Sequence, residues 1–484
     1  MRPILAALLP ALLGCTPLPP SPALAPAHVS GSGTRVTSPS ARRGDVVDDA
    51  RDLLEEAIDT DTSTAVGSGK LAERLATRFR GVGFPAGDVV LAGPRPANQN
   101  LVVRLRGAPG GRLKPLLFIA HLDVVPALRA DWSTDPFKLV EKDGFFYGRG
   151  VQDMKEEVAE IAANFIRFKK EGFVPNRDLI VAFTEHEEGG DDNGVEWLLA
   201  NRRDLIDAEL AINLEGGGGD LIKGAHAMVE IERAEKGYLT VVLEVRNPGG
   251  HSSMPTHENA IYRLAHALER VAALEFPLRT NEVTRAFFAN AARGETGDAA
   301  KDLKGVGAEP MDPAAAARVA ASSSYFNAML RTTCVATMLQ AGHAPNALPQ
   351  TARATINCRL LPDESVDSVE AALRAAIGDP QVALSRETWL KTSSVTPDAA
   401  VIKGAVEKIS SAMWPGIVVT PVQATGISDA NTLRAAGIPV YGVSGMFIDI
   451  DDVRAHGKDE NLGIGAYYEG LEFMRRFVRA VAAP

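Results

Sequence analysis

At 484 residues the chain is too long for one ordinary domain and suggests two, one of them inserted in the other. Hydrophobic residues make up 45% and charged residues 23%, the profile of a soluble globular protein, which excludes a disordered or membrane-embedded chain. A net charge of −10 argues against a nucleic-acid surface, because phosphate binding requires a basic face.

The first residues read as an export signal. Met1 and Arg2 precede an apolar run over residues 4–13, too short to span a bilayer and right for a signal-peptide core. The run ends Leu12-Leu13-Gly14-Cys15 and resembles a bacterial lipoprotein signal, in which the cysteine is lipidated and becomes the mature N-terminus. A plain secretory signal with an incidental cysteine is the alternative. Residues 1–15 are therefore assigned to the signal, and residues 16–44, dominated by Pro, Ser and Ala, to a semi-extended tether. Thr16, not Asp, follows the cysteine, so the resemblance implies a periplasmic protein anchored to the outer membrane through its N-terminal lipid.

Strands and helices alternate from residue 45. Residues 48–79 read as amphipathic helix, and 116–120 (Leu-Leu-Phe-Ile-Ala) as a buried parallel strand. Residues 155–170 form a helix with Val158, Ile161, Ala162, Phe165 and Phe168 on one face. Strands follow at 179–184 and 210–214, with a helix at 195–200 between them. Near Lys236 the pattern changes to strand 238–245, helix 257–274, strand 351–360 and helix 366–377, a smaller α+β unit. Its halves are separated by a helical insertion over 278–335. A strand at 439–443 and a closing helix at 462–481 resume the first pattern. The fold class is therefore α/β: a main domain (45–235 and 391–484) with a mostly parallel sheet and helices on both faces, interrupted by a smaller α+β lid domain (236–390). Cys334 and Cys358 sit among apolar neighbours, so two buried free thiols are expected, although export would permit a disulfide.

Polar residues gather where these strands end, which is where open parallel sheets build their sites. His121-Leu122-Asp123 follows the first buried strand, and Gly148-Arg149-Gly150-Val151-Gln152-Asp153 precedes a helix. Glu185-His186-Glu187-Glu188-Gly189-Gly190 and Glu215 with its glycine run follow the next two strands, and His456 lies before the last helix. Singly, each reads best as a turn or a hydrogen-bonded structural residue. Jointly, two histidines and three carboxylates suit two zinc ions sharing one bridging carboxylate.

His121-Leu122-Asp123-Val124-Val125-Pro126, Gly148-Arg149-Gly150 with Asp153 and Lys155, Glu187-Glu188 and Gly250-His251-Ser252-Ser253 together resemble the aminoacylase, glutamate carboxypeptidase and carboxypeptidase S-like family of co-catalytic di-zinc peptidases. The resemblance covers roughly residues 48–484. It implies that Asp153 bridges two Zn2+ ions (Co2+ or Mn2+ being possible substitutes), with His121 and Glu215 on one and Glu188 and His456 on the other. It implies further that Asp123 orients His121, that Glu187 is the general base, and that His251 closes from the lid onto the tetrahedral oxyanion. Asn346, Arg359, Gly426 and Asp429 match positions that such proteins place near substrate. Glu156 and His186 depart from the family's common residues, and the long insertion puts lid-mediated dimerisation in doubt, leaving monomer and homodimer both open.

The activity implied is hydrolysis of an amide bond beside a free C-terminal carboxylate in a small peptide, by a carboxypeptidase or dipeptidase. An N-acyl-amino-acid amidohydrolase is the alternative, with the same chemistry and a different acyl side. A non-catalytic binding lipoprotein on the same fold predicts losses among the ligands or the base, and none is lost.

Overall fold

The computed structural model describes residues 46–482 apart from 112, 190, 191, 223, 391 and 392, with side chains from residue 49 onward. The expected signal peptide, Cys15 and the tether lie outside the described residues.

Three short apolar strands form the centre of the large sheet: Leu116–His121, Leu179–Thr184 and Leu210–Asn213, each buried along its whole length. They pair in parallel, with His121 level with Thr184 and Leu116 level with both Leu179 and Leu210. A wholly apolar strand is stable only where both faces are covered. Here Phe118 and Ala120 enter one hydrophobic cluster while Leu117 and Ile119 enter another, the period of two that a strand imposes. Helices Val46–Ile58, Gly69–Gly81, Lys155–Lys170 and Ile464–Ala482 supply Leu53, Phe79, Phe165 and Phe473 to the first cluster. Gly194–Asn201 and Asp429–Ala435 supply Leu198 and Leu433 to the second.

Antiparallel strands Asn98–Leu105 and Val89–Arg95 extend one edge. On the other side Val440–Gly442 pairs in parallel with Leu210–Asn213, and Ala225–Glu235, Gly218–Ile222 and Phe447–Asp449 follow. The sheet is thus mixed, with a parallel centre.

The single helix expected over 48–79 is two helices. Residues 59–68 break it, because Thr62 turns to the sheet, donating its hydroxyl to Leu122 O at 2.7 Å while its own carbonyl accepts from Val124 N at 3.3 Å. Gly67 sits at φ +86°, and a Cβ there would lie 2.4 Å from Ala97 O, so this turn requires glycine.

A separate four-stranded antiparallel sheet has the order Thr333–Ala341, Thr351–Leu360, Gly237–Arg246, Ala383–Leu390. Helices Ala260–Ala272 and Val366–Ile377 cover one face through Leu264, Val271, Val369 and Leu373. The insertion contributes helices Glu282–Ala291, Gly297–Val306, Pro313–Ser322 and Ser324–Leu330. These pack through Phe287, Phe288 and Leu330 onto Val422 of strand Val418–Ala424, which pairs with the large sheet. Asn290 donates to Thr420 Oγ1 at 3.1 Å and Asn281 to Gln423 Oε1 at 2.6 Å. The insertion, read from sequence as part of the lid, therefore leans on the main sheet, because the apolar side of these short helices matches a strand that the sequence shows only later.

Cys334 and Cys358 are not two free thiols. They face each other directly across adjacent antiparallel strands, with Cα atoms 4.0 Å apart, and are joined by a disulfide. Their apolar surroundings were compatible with either state; only the strand register brought the sulfurs together. Closing a loop of this length contributes about 2–4 kcal/mol of stability. The Cys334→Ser/Cys358→Ser variant should lose about that much in urea unfolding, and unchanged stability together with two titratable thiols besides Cys15 in the unreduced wild type would refute the bond.

Candidate metal centre

His121, Glu188, Glu215 and His456 lie at or after the ends of main-sheet strands, and Asp153 lies in the loop that enters helix Lys155–Lys170. His121 is the last residue of its strand and is almost wholly buried, with Nε2 3.1 Å from Asp153 Oδ1. The other oxygen of Asp153 lies 3.1 Å from His456 Nε2, which is in turn 2.9 Å from Glu188 Oε1. Asp153 therefore stands between two histidines that are far apart in sequence. Two groups result, His121–Asp153–Glu215 and Asp153–Glu188–His456, each with its ligand atoms within 4.8 Å of one another.

These spacings fit a metal. Two ligands bonded about 2.0–2.1 Å from one tetrahedral zinc ion lie roughly 3.3 Å apart. The charge balance points the same way. Asp123, Asp153, Glu187, Glu188 and Glu215 gather around two imidazoles, and excess buried negative charge wants a cation. Burial pushes the Glu215 carboxyl well above its ordinary range, and the Glu187 charge adds to the rise. Burial likewise pushes Glu187 well up, with Asp429, Glu188 and Asp123 raising it further and His121 opposing. Burial opposes ionisation of Asp153 too, but its hydrogen bonds to His121 and His456 win and hold it well below the usual carboxylate range. His456, pinned between Asp153 and Glu188, is raised to about 10. Oxygen and imidazole donors of this kind suit zinc, cobalt or manganese.

Asp123 does its work differently from expectation. The nearer partner of His121 Nδ1 is the Asp123 backbone carbonyl, at 3.0 Å, while its carboxylate is 3.8 Å away. That carboxylate instead accepts from the backbone amides of Glu187 and Glu188, both at 3.0 Å, one on each oxygen. It fixes the loop that carries both glutamates, so that Glu188 reaches His456 while Glu187 stays within electrostatic reach of His121 and Arg359.

The remaining predicted residues divide. Arg359, half-buried with its guanidinium 4.8 Å over the Tyr238 ring, feels the Glu187 charge and so belongs to the site. The Asp429 side chain is buried, and its oxygens accept from Thr184 Oγ1 and Asn193 Nδ2, both at 2.8 Å. It ties the start of its helix to a strand end. Gly426 is exposed, with open space where a side chain would stand. His251 and Asn346 are exposed neighbours on the two-stranded ribbon Gly250–His251 and Ala347–Leu348, where Ser252 N donates to Asn346 O at 3.0 Å. Among the described residues no hydrogen bond or ion pair joins His251 to the metal groups; its Nδ1 engages Ser253 Oγ at 2.7 Å.

Sequence reasoning missed Glu460. This buried carboxylate accepts from Arg149 Nη1 at 2.7 Å, Gly150 N at 3.1 Å and Gln152 N at 2.7 Å. Gln152 Oε1 in turn accepts from Arg454 N and Ala455 N at 2.8 and 2.9 Å. The loop bearing Asp153 is thereby locked to the loop bearing His456. An acidic residue shortly before a helix looks like a solvated cap, so nothing in the sequence marked it. Glu460→Ala strands a buried guanidinium and should cost about 3–5 kcal/mol in denaturant unfolding. The same variant should bind zinc about 10–100-fold more weakly in chelator competition; wild-type values in both assays would refute the locking role.

Comparison with known proteins agrees with this geometry. The profile of Peptidase family M20/M25/M40 matches residues 117–480. Probable carboxypeptidase S-like 2 of Dictyostelium discoideum is 28% identical over 399 residues, covering 79% of this chain and 74% of its own length. The mouse (Mus musculus) N-fatty-acyl-amino acid synthase/hydrolase PM20D1 is 27% identical over 383 residues, covering 76% and 74%. Among solved structures, the M20 family metallo-carboxypeptidase Sso-CP2 from Sulfolobus solfataricus superposes with a TM-score of 0.67 at 18% identity, covering 89% of this chain and 99% of that one, and shares the fold. With the profile spanning most of the chain and two metal-capable groups sharing Asp153 at the strand ends, this protein belongs to Peptidase family M20/M25/M40 and is a metal-dependent hydrolase.

Proposed function

We propose that this hydrolase carries two zinc ions and cuts an amide bond beside a free C-terminal carboxylate in small peptides, as a carboxypeptidase or dipeptidase. The observation that carries the reading is the pair of metal-capable groups joined by one carboxylate, Asp153. His121 and Glu215 would hold one ion with Asp153, and Glu188 and His456 the other. When bound, the pair would supply Lewis acidity to water and to the scissile carbonyl.

The chain's own residues provide the rest. Glu187 accepts the proton of the attacking water and passes it to the leaving nitrogen; a carboxyl pushed upward by burial is suited to both steps. Asp123 keeps Glu187 and Glu188 in their separate directions through their amides. Arg359 offers a planar fork to the substrate carboxylate, anchored against Tyr238. For His251 to hydrogen-bond the scissile carbonyl oxygen, the exposed ribbon that carries it has to approach the metal groups.

The second reading, N-acyl-amino-acid hydrolysis, is favoured by one comparison, the mouse relative named for N-fatty-acyl amino acids. Both readings need the same centre. Chelation should abolish hydrolysis of dipeptides and N-acyl amino acids and added zinc should restore it, while Glu187→Gln should still bind two equivalents of zinc by elemental analysis and lose at least about a hundredfold in kcat. Chelator-insensitive turnover, or near-wild-type kcat in Glu187→Gln, would overturn the mechanism.

We propose also that the protein is exported and held at the outer membrane by a lipid on Cys15, on the strength of the Leu-Leu-Gly-Cys sequence at residues 12–15. Cys15→Ser should release it from the membrane fraction into the soluble periplasm; unchanged membrane attachment would refute the anchor.

A further inference from the structure

A cavity of about 220 Å3 opens beside the metal groups, between the loop bearing Asp153 and the strand that follows Glu215. Glu215 itself forms part of its edge, and Gln152 and Met154, the neighbours of Asp153, form another part. Its walls are apolar: Met154, Met446, Ile448, Ile450 and Val453. Ile450 and Val453 are 48% and 64% exposed, unusual for side chains of this kind, and they stand just before His456 in the chain. A bound apolar chain would cover them.

Two further carboxylates line this cavity and belong to neither metal group. Asp220, on strand Gly218–Ile222, has no hydrogen-bond donor and no cationic partner among the described residues. Burial raises its carboxyl to about 6, and the buried Glu230 carboxyl stands within its electrostatic reach. Glu157 is only 5% exposed, its Oε2 has no hydrogen-bond partner, and burial raises its carboxyl to about 8, so it serves as a further oxygen acceptor beside Asp220. A buried polar atom left unpaired in a protein costs free energy that a ligand can relieve.

Apolar walls with unpaired acids select a group that has an apolar stem and a cationic end. A lysine side chain has both, a four-carbon apolar stem and a terminal ammonium. Resting on the hydrolase reading above, we infer that this cavity receives the acyl side of the substrate and selects an aminoacyl group with an ammonium, lysine-like in form, through Asp220 and Glu157. The preferred substrates are then peptides with a basic residue before the scissile bond, and neutral N-acyl amino acids are poor ones. Asp220 is the specificity-determining residue.

The test compares lysyl-alanine with norleucyl-alanine, which has the same stem without the ammonium, using the zinc-loaded full chain. Wild type should cleave the lysyl peptide with at least about tenfold higher kcat/KM, as expected for a charge-assisted hydrogen bond. Asp220→Asn should bring that ratio close to one. The ratio is insensitive to loss of folded enzyme, which lowers both rates together. Calorimetry provides a second readout: lysine should bind wild type more tightly than norleucine, and Asp220→Asn should erase the difference. Equal rates in wild type, a preference that survives Asp220→Asn, or faster cleavage of N-acetylalanine than of either peptide would each overturn the inference while leaving the hydrolase intact. Absence of any hydrolysis would overturn the proposed function instead, and the calorimetric difference would then decide the cavity alone.

Discussion

The buried Glu460 carboxylate is the constraint on which the site depends. Two loops whose sequences lie some three hundred residues apart are held together as this group binds Arg149 and the amides of Gly150 and Gln152 in one, while Gln152 reaches the amides of Arg454 and Ala455 in the other, beside the pairing of Phe145–Tyr147 with Asn461–Gly463. A buried ion pair of this sort is weak evidence for stability, since desolvation offsets its attraction. What it does supply is position. Asp153 can face His121 with one oxygen and His456 with the other only if both loops are fixed together.

The same region concentrates buried ionisable groups that the fold does not fully pair. Lys155, wholly buried, donates to Thr60 O at 2.8 Å, and burial lowers its ammonium to about 7. Glu156 and Glu160 on the same helix have carboxyl oxygens without hydrogen-bond partners, and burial pushes both well up. A chain selected only for stability would replace such groups with apolar ones of similar volume. Their presence next to the metal groups, with those groups' own surplus of carboxylates, suits a centre whose stability is completed by bound cations. His456 adds a local departure, a non-glycine residue at φ +63°, of the kind found where surrounding structure holds a functional side chain in place.

Much of this was legible in the sequence because it depends on local pattern. The wholly apolar runs at 116–120 and 179–184 could only be strands covered on both faces, and the helices at 155–170 and 366–377 have the structure's own bounds. The ligands were legible because strand ends present them in order. The break at 59–68 was less so, since Thr62 leaves the helix for a partner sixty residues away. The partners of the Asp429 side chain were illegible for a related reason. Its place in a glycine-containing loop looks open to ligand, whereas Thr184 and Asn193 close over both of its oxygens.

The sequence by itself determined the α/β class, the residue types able to hold two metals and the strand ends that bear them, because these follow from hydrophobic period and from chemistry carried within single segments. Tertiary structure alone decided the Cys334–Cys358 bond, the seat of the insertion on strand Val418–Ala424, the clamp of Asp123 on the glutamate amides, and the lock around Glu460. Each of these joins residues through strand register or buried hydrogen bonds between distant segments, and no local pattern encodes which distant donor a carboxylate will meet. The metal centre lies where the two meet: its members could be read in order along the chain, and their convergence on Asp153 required the fold.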